Sequence, residues 1–289
     1  MISFYDRELD FIDSKILNVD PVEIPKLFER IPLGVFGLLQ YGEQAERYKK
    51  ISKYMPTMAS DDDQLGWTGD CGVNLLKQSI DFVKSAVHFY EMYTKNNIER
   101  ANFLDFGCGW GRLTRLMLKY IPHEQIYAVD PWDKAIEKCR ELNVHGSFGQ
   151  TEYICNSLPF RNISFDLVIS FSVFTHLSLK ACTAALQTIR SCMAEEGVLA
   201  ITVRPRDYWA LHGNTWCKDI SINSLLSAHD TVGYAFCPHD IPINDKVDYG
   251  DTSISIVYIQ ENWKDWEIIG FDESLLDTYQ QVVFLKPRK

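Results

Sequence analysis

The chain has 289 residues, enough for one large buried core, with 46% apolar and 24% charged residues. Its net charge of −10 is a poor match to polyphosphate backbones, so a nucleic-acid partner is not expected. No run approaches the roughly 18 apolar residues of a membrane span, and the first residues, MISFYDRELDFIDSK, are acidic where a signal peptide is basic. A soluble cytoplasmic protein without a membrane partner is expected.

Residues 1–60 carry apolar positions at helical spacing interrupted by Pro25, Pro32 and Gly34, and read as a helical extension. Ala59–Asp63 reads as a polar linker. Asn74–Thr94 reads as an amphipathic helix, with Leu75, Ile80, Val83, Val87 and Tyr90 on one stripe. From about 100 the chain alternates strands and helices. Strands are expected at 101–106, 125–130, 151–155, 165–171 and 198–203, with helices at 113–120, 134–142 and 179–193 between them and an exit turn at Glu195-Glu196-Gly197. That rhythm means a mostly parallel sheet covered by helices on both faces, a doubly wound α/β fold. Residues 206–252 break the rhythm. They read as an insertion after strand five, with β-like pieces at 232–237 and 252–256 and a polar loop between them. A short helix near 257–263 and strands at 266–271 and 281–285 close the chain and bring the main sheet to seven strands.

Eight cysteines are scattered as Cys71, Cys108, Cys139, Cys155, Cys182, Cys192, Cys217 and Cys237. None forms a CxxC pair or a zinc-type spacing with histidine, so reduced, mostly buried thiols and no metal are expected. Arg112, Arg115 and Lys119 lie at helical spacing and read as a solvated helix face rather than a binding patch.

The chemistry is concentrated in Asp105-Phe106-Gly107-Cys108-Gly109-Trp110-Gly111, which follows a predicted strand and opens a predicted helix. Glycine at alternate positions lets the backbone turn sharply and approach a ligand, and the free amides of the helix start point at it. Asp130 ends the next predicted strand, where a carboxylate can accept both hydroxyls of a ribose. Dinucleotide oxidoreductases need their third glycine at position 112, and Arg112 stands there. GxSxG, GxxxxGK[ST] and HExxH are all missing from the sequence.

The segments FLDFGCGWGR (103–112), IYAVDP (126–131) and LPFRNISFDLVISFSVFTHL (158–177) resemble the class I S-adenosylmethionine-dependent methyltransferases. The resemblance covers about 100–205 firmly and 253–287 loosely, and leaves out residues 1–60 and the insertion. It implies a Rossmann-like methyltransferase fold that binds S-adenosylmethionine and releases S-adenosylhomocysteine. On this resemblance, Asp105 and the backbone of Gly107, Cys108, Gly109 and Gly111 hold the methionine part. Asp130 holds the ribose, with Pro131 and Trp132 after it and Trp132 packed on the adenine. Ser170 and Phe171 line the floor near the sulfonium. Many relatives carry an Asp before the LPF segment for the adenine amino group. Here Ile154, Cys155 and Asn156 stand there, and Asn156 with Ser157 is the expected substitute.

His176, just past predicted strand four, is the candidate general base; the alternative is that it packs its own loop. In the insertion, Tyr208, Trp209, His212, His229, Tyr234, His239, Asp240 and Tyr249 are candidates for an acceptor pocket. Trp67-Thr68-Gly69 reads either as a lid over the cofactor or as an anchor for the linker. The reading is therefore an N-terminal extension (1–60) followed by a methyltransferase domain (61–289) in which residues 206–252 cover the acceptor. The expected acceptor is a small molecule or glycan unit methylated on oxygen. The alternatives are a protein or RNA methyltransferase, or a non-catalytic cofactor-binding scaffold.

Overall fold

The computed structural model describes residues 2–217, 220–239 and 249–289, and of residues 214–216 the backbone only. Its strands are β1 (Phe103–Phe106), β2 (Ile126–Asp130), β3 (Ser147–Gln150), β4 (Phe165–Ser170), β5 (Met193–Val203), β6 (Tyr234–Pro238), β7 (Gly250–Ile254), β8 (Trp266–Glu273) and β9 (Gln281–Pro287). Seven of them form one sheet in the order β3-β2-β1-β4-β5-β9-β8, while β6 and β7 pair separately. In the main sheet β9 runs antiparallel to both of its neighbours, β5 and β8, while the pairs β1/β2, β2/β3 and β4/β5 are parallel. This is the doubly wound α/β architecture expected from the strand–helix alternation. The polypeptide divides into two compact units that meet in sequence after Gln150, so the N-terminal helices belong to the unit that carries β1–β3.

In the first unit, the run expected to be a linker instead starts a helix, Asp61–Thr68. Ser60 caps it by accepting from the Asp63 amide, and three aspartates occupy its first turn, where the helix dipole favours negative charge. The long helix Gly72–Thr94 buries Leu75, Leu76, Phe82, Val83, Ala86, Val87 and Tyr90 on a stripe of helical period. Strand β3 begins at Ser147 rather than Thr151. Gly146, at φ 140°, brings the backbone so close to Ile126 that a Cβ would lie 3.1 Å from its carbonyl, and pairing with β2 starts at once.

Two of the three basic residues read as a solvated face are buried. Arg115 is 1% exposed; its Nη1 donates to the Thr57 carbonyl (2.8 Å), its Nε to Gly111 (3.2 Å), and its guanidinium lies 4.7 Å from the Trp110 ring centre. Lys119 Nζ donates to the Phe28 carbonyl at 3.2 Å. Their positive ends tie backbone carbonyls of the N-terminal region to the segment after the glycine turn. Sequence spacing cannot distinguish this from exposure, because the Thr57 and Phe28 carbonyls they meet lie 58 and 91 residues away in the chain.

In the second unit, β4 is buried except at Asp166. Strand β5 already starts at Met193, paired with Phe165, so Glu195-Glu196-Gly197 lies within a strand with a shifted register instead of forming a turn. The insertion at 206–252, read from sequence as two β-like pieces with a polar loop between them, also contains helices Tyr208–Trp216 and Ile222–Val232, and its β-like pieces become the β6/β7 ribbon. Ser221 caps the second of these helices, and Gly233 at φ 81° ends it. The polar loop between the β-like pieces, with Asp240, lies outside the described residues. The expectation of thiols throughout is corrected at one place: Cys217 and Cys237 form a disulfide, with Cα atoms 5.9 Å apart. Cys71, Cys108, Cys139, Cys155, Cys182 and Cys192 are free. Among the described residues, no helix is long and apolar enough to cross a membrane.

Candidate functional site

Strand β1 delivers Asp105 to the start of the glycine turn. Gly107, Gly109 and Gly111 all have left-handed φ (83°, 54° and 77°), which side chains with a Cβ rarely adopt. The turn is stitched to β2 through the amides of Gly107 and Cys108, both donating to the Val129 carbonyl at 2.8 and 3.0 Å. Asp130, the last residue of β2, accepts from the Gly109 amide at one oxygen (2.9 Å) and from the Trp132 amide at the other (3.0 Å). A carboxylate can accept about four hydrogen bonds, so these two leave capacity for a diol. Burial raises the Asp130 carboxyl to about 6 against the pull of those two amides. Asp105 accepts from the Thr114 hydroxyl at 2.6 Å, and burial raises it to about 6 as well.

The turn therefore carries two buried acids whose charge is poorly compensated by the protein itself. An ammonium beside Asp105 and vicinal hydroxyls beside Asp130 would supply what they lack, and that is the donor pattern of a nucleoside bearing an amino acid. Trp132, 44% exposed, meets Trp67 edge-on with centroids 5.6 Å apart. Trp67 also lies 3.7 Å from where a Gly109 Cβ would sit. Trp67, which the sequence reads as either lid or anchor, has its ring at the glycine turn. Pro131 follows Asp130, and its carbonyl accepts from Gln150 at 3.0 Å. Asp105, Gly107, Cys108, Gly109, Gly111, Asp130, Pro131 and Trp132 are thus brought together.

The remaining named residues lie in the second unit. Asn156 and Ser157 are exposed on the loop before β4, and Asn156 Nδ2 donates to the Ile154 carbonyl at 3.0 Å. Ser170 is the buried last residue of β4, and Phe171 is half-buried after it. His176 sits in a cluster that the sequence did not disclose. Its Nδ1 is 2.7 Å from the Gly250 carbonyl and therefore carries the proton, and its Nε2 accepts from Arg204 Nη2 at 3.1 Å. Tyr249 stacks on the ring at 5.1 Å. Burial and the Arg204 guanidinium press the imidazole down to about 3. A neutral ring with both nitrogens engaged has no lone pair for an acceptor proton while Arg204 stays in place.

Arg204, just past β5, also donates to the Thr175 carbonyl (2.8 Å), pairs with Asp251, and lies 4.1 Å from the Tyr208 ring centre. Asp251 reaches His239 Nε2 at 3.2 Å. Burial pushes its carboxyl up, and Arg204 with the two histidines outweighs that, leaving it below its usual value. Sequence reasoning missed Arg204 and Asp251. The position of Arg204 at a strand's carboxyl end was the one signal available. Trp209 and His229 both bond the Ser253 hydroxyl (2.6 and 2.7 Å), and Tyr234 donates to the Leu177 carbonyl at 2.8 Å, so these three serve packing.

A methyltransferase-domain family model matches residues 103–197. An uncharacterized methyltransferase of Schizosaccharomyces pombe is 29% identical over 122 residues, 36% of this chain, and the match spans under half of that relative, 43% of its length. Among solved structures, a Pyrococcus horikoshii protein superposes with a TM-score of 0.53 at 15% identity, covering 74% of this chain and 91% of that one. The plantazolicin methyltransferase BpumL in complex with S-adenosylhomocysteine gives 0.51 at 14% identity, covering 89% and 96%. At such identities the likeness is one of fold.

Proposed function

We propose that this chain, which carries a class I S-adenosylmethionine-dependent methyltransferase domain, transfers the methyl group of that cofactor to an oxygen of a small molecule or sugar unit. The observation that carries the reading is the closed constellation of glycine turn and acid. Asp130 holds the Gly109 amide and keeps carboxylate capacity for a ribose, while Asp105 stands buried at the turn's entrance. When bound, the cofactor supplies an activated sulfonium methyl. In this reading Asp105 and the Gly107–Gly111 backbone hold its methionine end, Asp130 its ribose, and Pro131 and Trp132 its adenine. Asn156, Ser157, Ser170 and Phe171 complete the same assignment and stay at the level of proposal. The transfer is an in-line displacement, so alignment of the nucleophile carries most of the rate.

Residues 206–252 are proposed to cover the acceptor, because loops after a parallel strand's carboxyl end carry specificity on a fixed scaffold. His176 can act as base only if Arg204 moves off Nε2; as built, it positions the loop after β4 against β7. A cytoplasmic site of action is part of the reading, supported by six free thiols and opposed by the Cys217–Cys237 bridge.

The test is calorimetry with S-adenosylhomocysteine, joined to transfer of labelled methyl onto a panel of hydroxyl and amine compounds, peptides and RNA. Asp130→Ala should weaken binding by about 10- to 100-fold through lost charge-assisted bonds. Gly109→Val should abolish it, because a branched side chain is strained at left-handed φ. Unchanged affinity in both variants would remove the assignment. Label found only on peptide or RNA would change the acceptor, and cofactor binding without transfer to any class would favour a scaffold.

A further inference from the structure

Past the carboxyl ends of β4 and β5 lies a layer of polar side chains that the cofactor reading does not use. Ser172, two residues beyond β4, is held at a left-handed φ of 57°, and its amide donates to Thr202 Oγ1 at 2.7 Å. Non-glycine residues in that conformation cost of order 1–3 kcal/mol and concentrate at ligand sites. Gln280 completes the layer. It immediately precedes β9, whose first residue pairs with Val203, so it stands level with the first residue past β5. Its Nε2 donates to Ser172 Oγ at 3.0 Å. The residue is 8% exposed, and its Oε1 is buried with no hydrogen-bond partner in the protein. A buried acceptor left unsatisfied is costly, and this one lies at the edge of the sheet where doubly wound folds bind their ligands. Next to it in the chain, Tyr279 meets His212 edge-on at 4.9 Å, and Tyr208 stacks on His212 at 5.2 Å and meets Tyr279 edge-on at 6.1 Å. An aromatic cluster that begins at the residue next to one fixed acceptor fits a small-molecule subsite.

We propose that Gln280 is a recognition residue for the methyl acceptor. Its carboxamide oxygen accepts a hydrogen bond from a hydroxyl on an acceptor ring that packs along Tyr279 and His212. This deepens the methyltransferase reading and rests on it. Ser172 fixes the carboxamide by taking its N–H, and β9 fixes the backbone behind it. The acceptor class is therefore a hydroxyl-bearing ring, and a ring whose hydroxyls are all methylated is rejected because it leaves the oxygen unpaired.

The experiment uses the full chain and needs no turnover. Saturation-transfer NMR and competition titration compare phenol with anisole, and a methyl glucoside with its permethylated form, with and without S-adenosylhomocysteine. The wild type should prefer the hydroxyl member of at least one pair by about 10-fold or more. Gln280→Leu, of similar volume, should erase that preference while S-adenosylhomocysteine affinity and melting temperature are kept. Gln280→Glu keeps an acceptor oxygen, and should keep the preference even if the leucine variant folds poorly. A wild type without preference, or a leucine variant that retains it, overturns the inference. A merely structural role for Gln280 predicts a lowered melting temperature with unchanged selectivity, which also overturns it. Failure of the wild type to bind S-adenosylhomocysteine removes the methyltransferase reading instead, and the hydroxyl preference is then read without it.

Discussion

Asp105→Asn should make the ligand-free protein more stable and the cofactor complex weaker. Asp105 is buried at the end of β1 and accepts a 2.6 Å hydrogen bond from Thr114 Oγ1, which an asparagine oxygen can also accept. The substitution therefore keeps the bond and removes a buried charge. Burial raises this carboxyl from 3.8 to about 6, a difference worth about 3 kcal/mol at neutral pH. An acid raised in the folded state binds its proton more tightly there than in the unfolded chain. Its cost is absent below about pH 4, grows between about 4 and 6, and is full above that. The variant should gain about 1–3 kcal/mol at about pH 7.5, or several degrees at roughly 2–4 °C per kcal/mol, and the gain should shrink as the pH falls toward 4. Loss of the charge opposite an ammonium should cost about 10- to 100-fold in S-adenosylhomocysteine affinity. Thermal melts across pH and calorimetry read both quantities. An asparagine variant that is less stable at neutral pH and binds S-adenosylhomocysteine as well as the wild type would refute the reasoning.

His176→Ala should destabilise by about 2–4 kcal/mol, because it strands the Gly250 carbonyl and an Arg204 N–H, whereas His176→Asn, which can both donate and accept, should lose less and retain most transfer activity if the ring only positions. The same imidazole, pressed down to about 3, takes a proton in the unfolded chain that the folded state refuses. Wild-type stability should therefore fall as pH drops from about 6.5 toward 3, by about 3 kcal/mol at pH 4, and the Asn variant should lack this slope in urea titrations. Reducing the Cys217–Cys237 bridge, which closes a 20-residue separation, should cost about 3 kcal/mol in the chain-entropy account; melts with and without reductant check this, and Cys217→Ser should be indifferent to reductant.

The two parts of the molecule differ in legibility for a physical reason. The glycine turn is a local device. Three glycines at alternate positions have φ of 83°, 54° and 77° within five residues, and the acid that closes the turn lies on the next strand, only 21 residues from Gly109. Backbone constraints of that kind leave their mark in the residue types themselves, so Asp105, Gly107–Gly111 and Asp130 are legible in the sequence alone. The polar cluster of the second unit has no such mark. His176 meets Gly250 across 74 residues, Arg204 meets Asp251 across 47, and Gln280 meets Ser172 across 108. Each of these residues is chemically ordinary where it stands in the chain, and they come together only through the register of β5 with β9 and of β6 with β7. Arg115 makes the same point in the first unit. Its helical spacing from Arg112 and Lys119 suggested solvent, yet its guanidinium is buried on carbonyls at Thr57 and Gly111. The proposed cofactor turn, shaped by backbone, is therefore the part that sequence exposes. The proposed acceptor contact, made by side chains gathered from distant segments, is read instead from an unsatisfied atom, Gln280 Oε1, because an unpaired buried acceptor has an energetic cost wherever in the sequence it comes from.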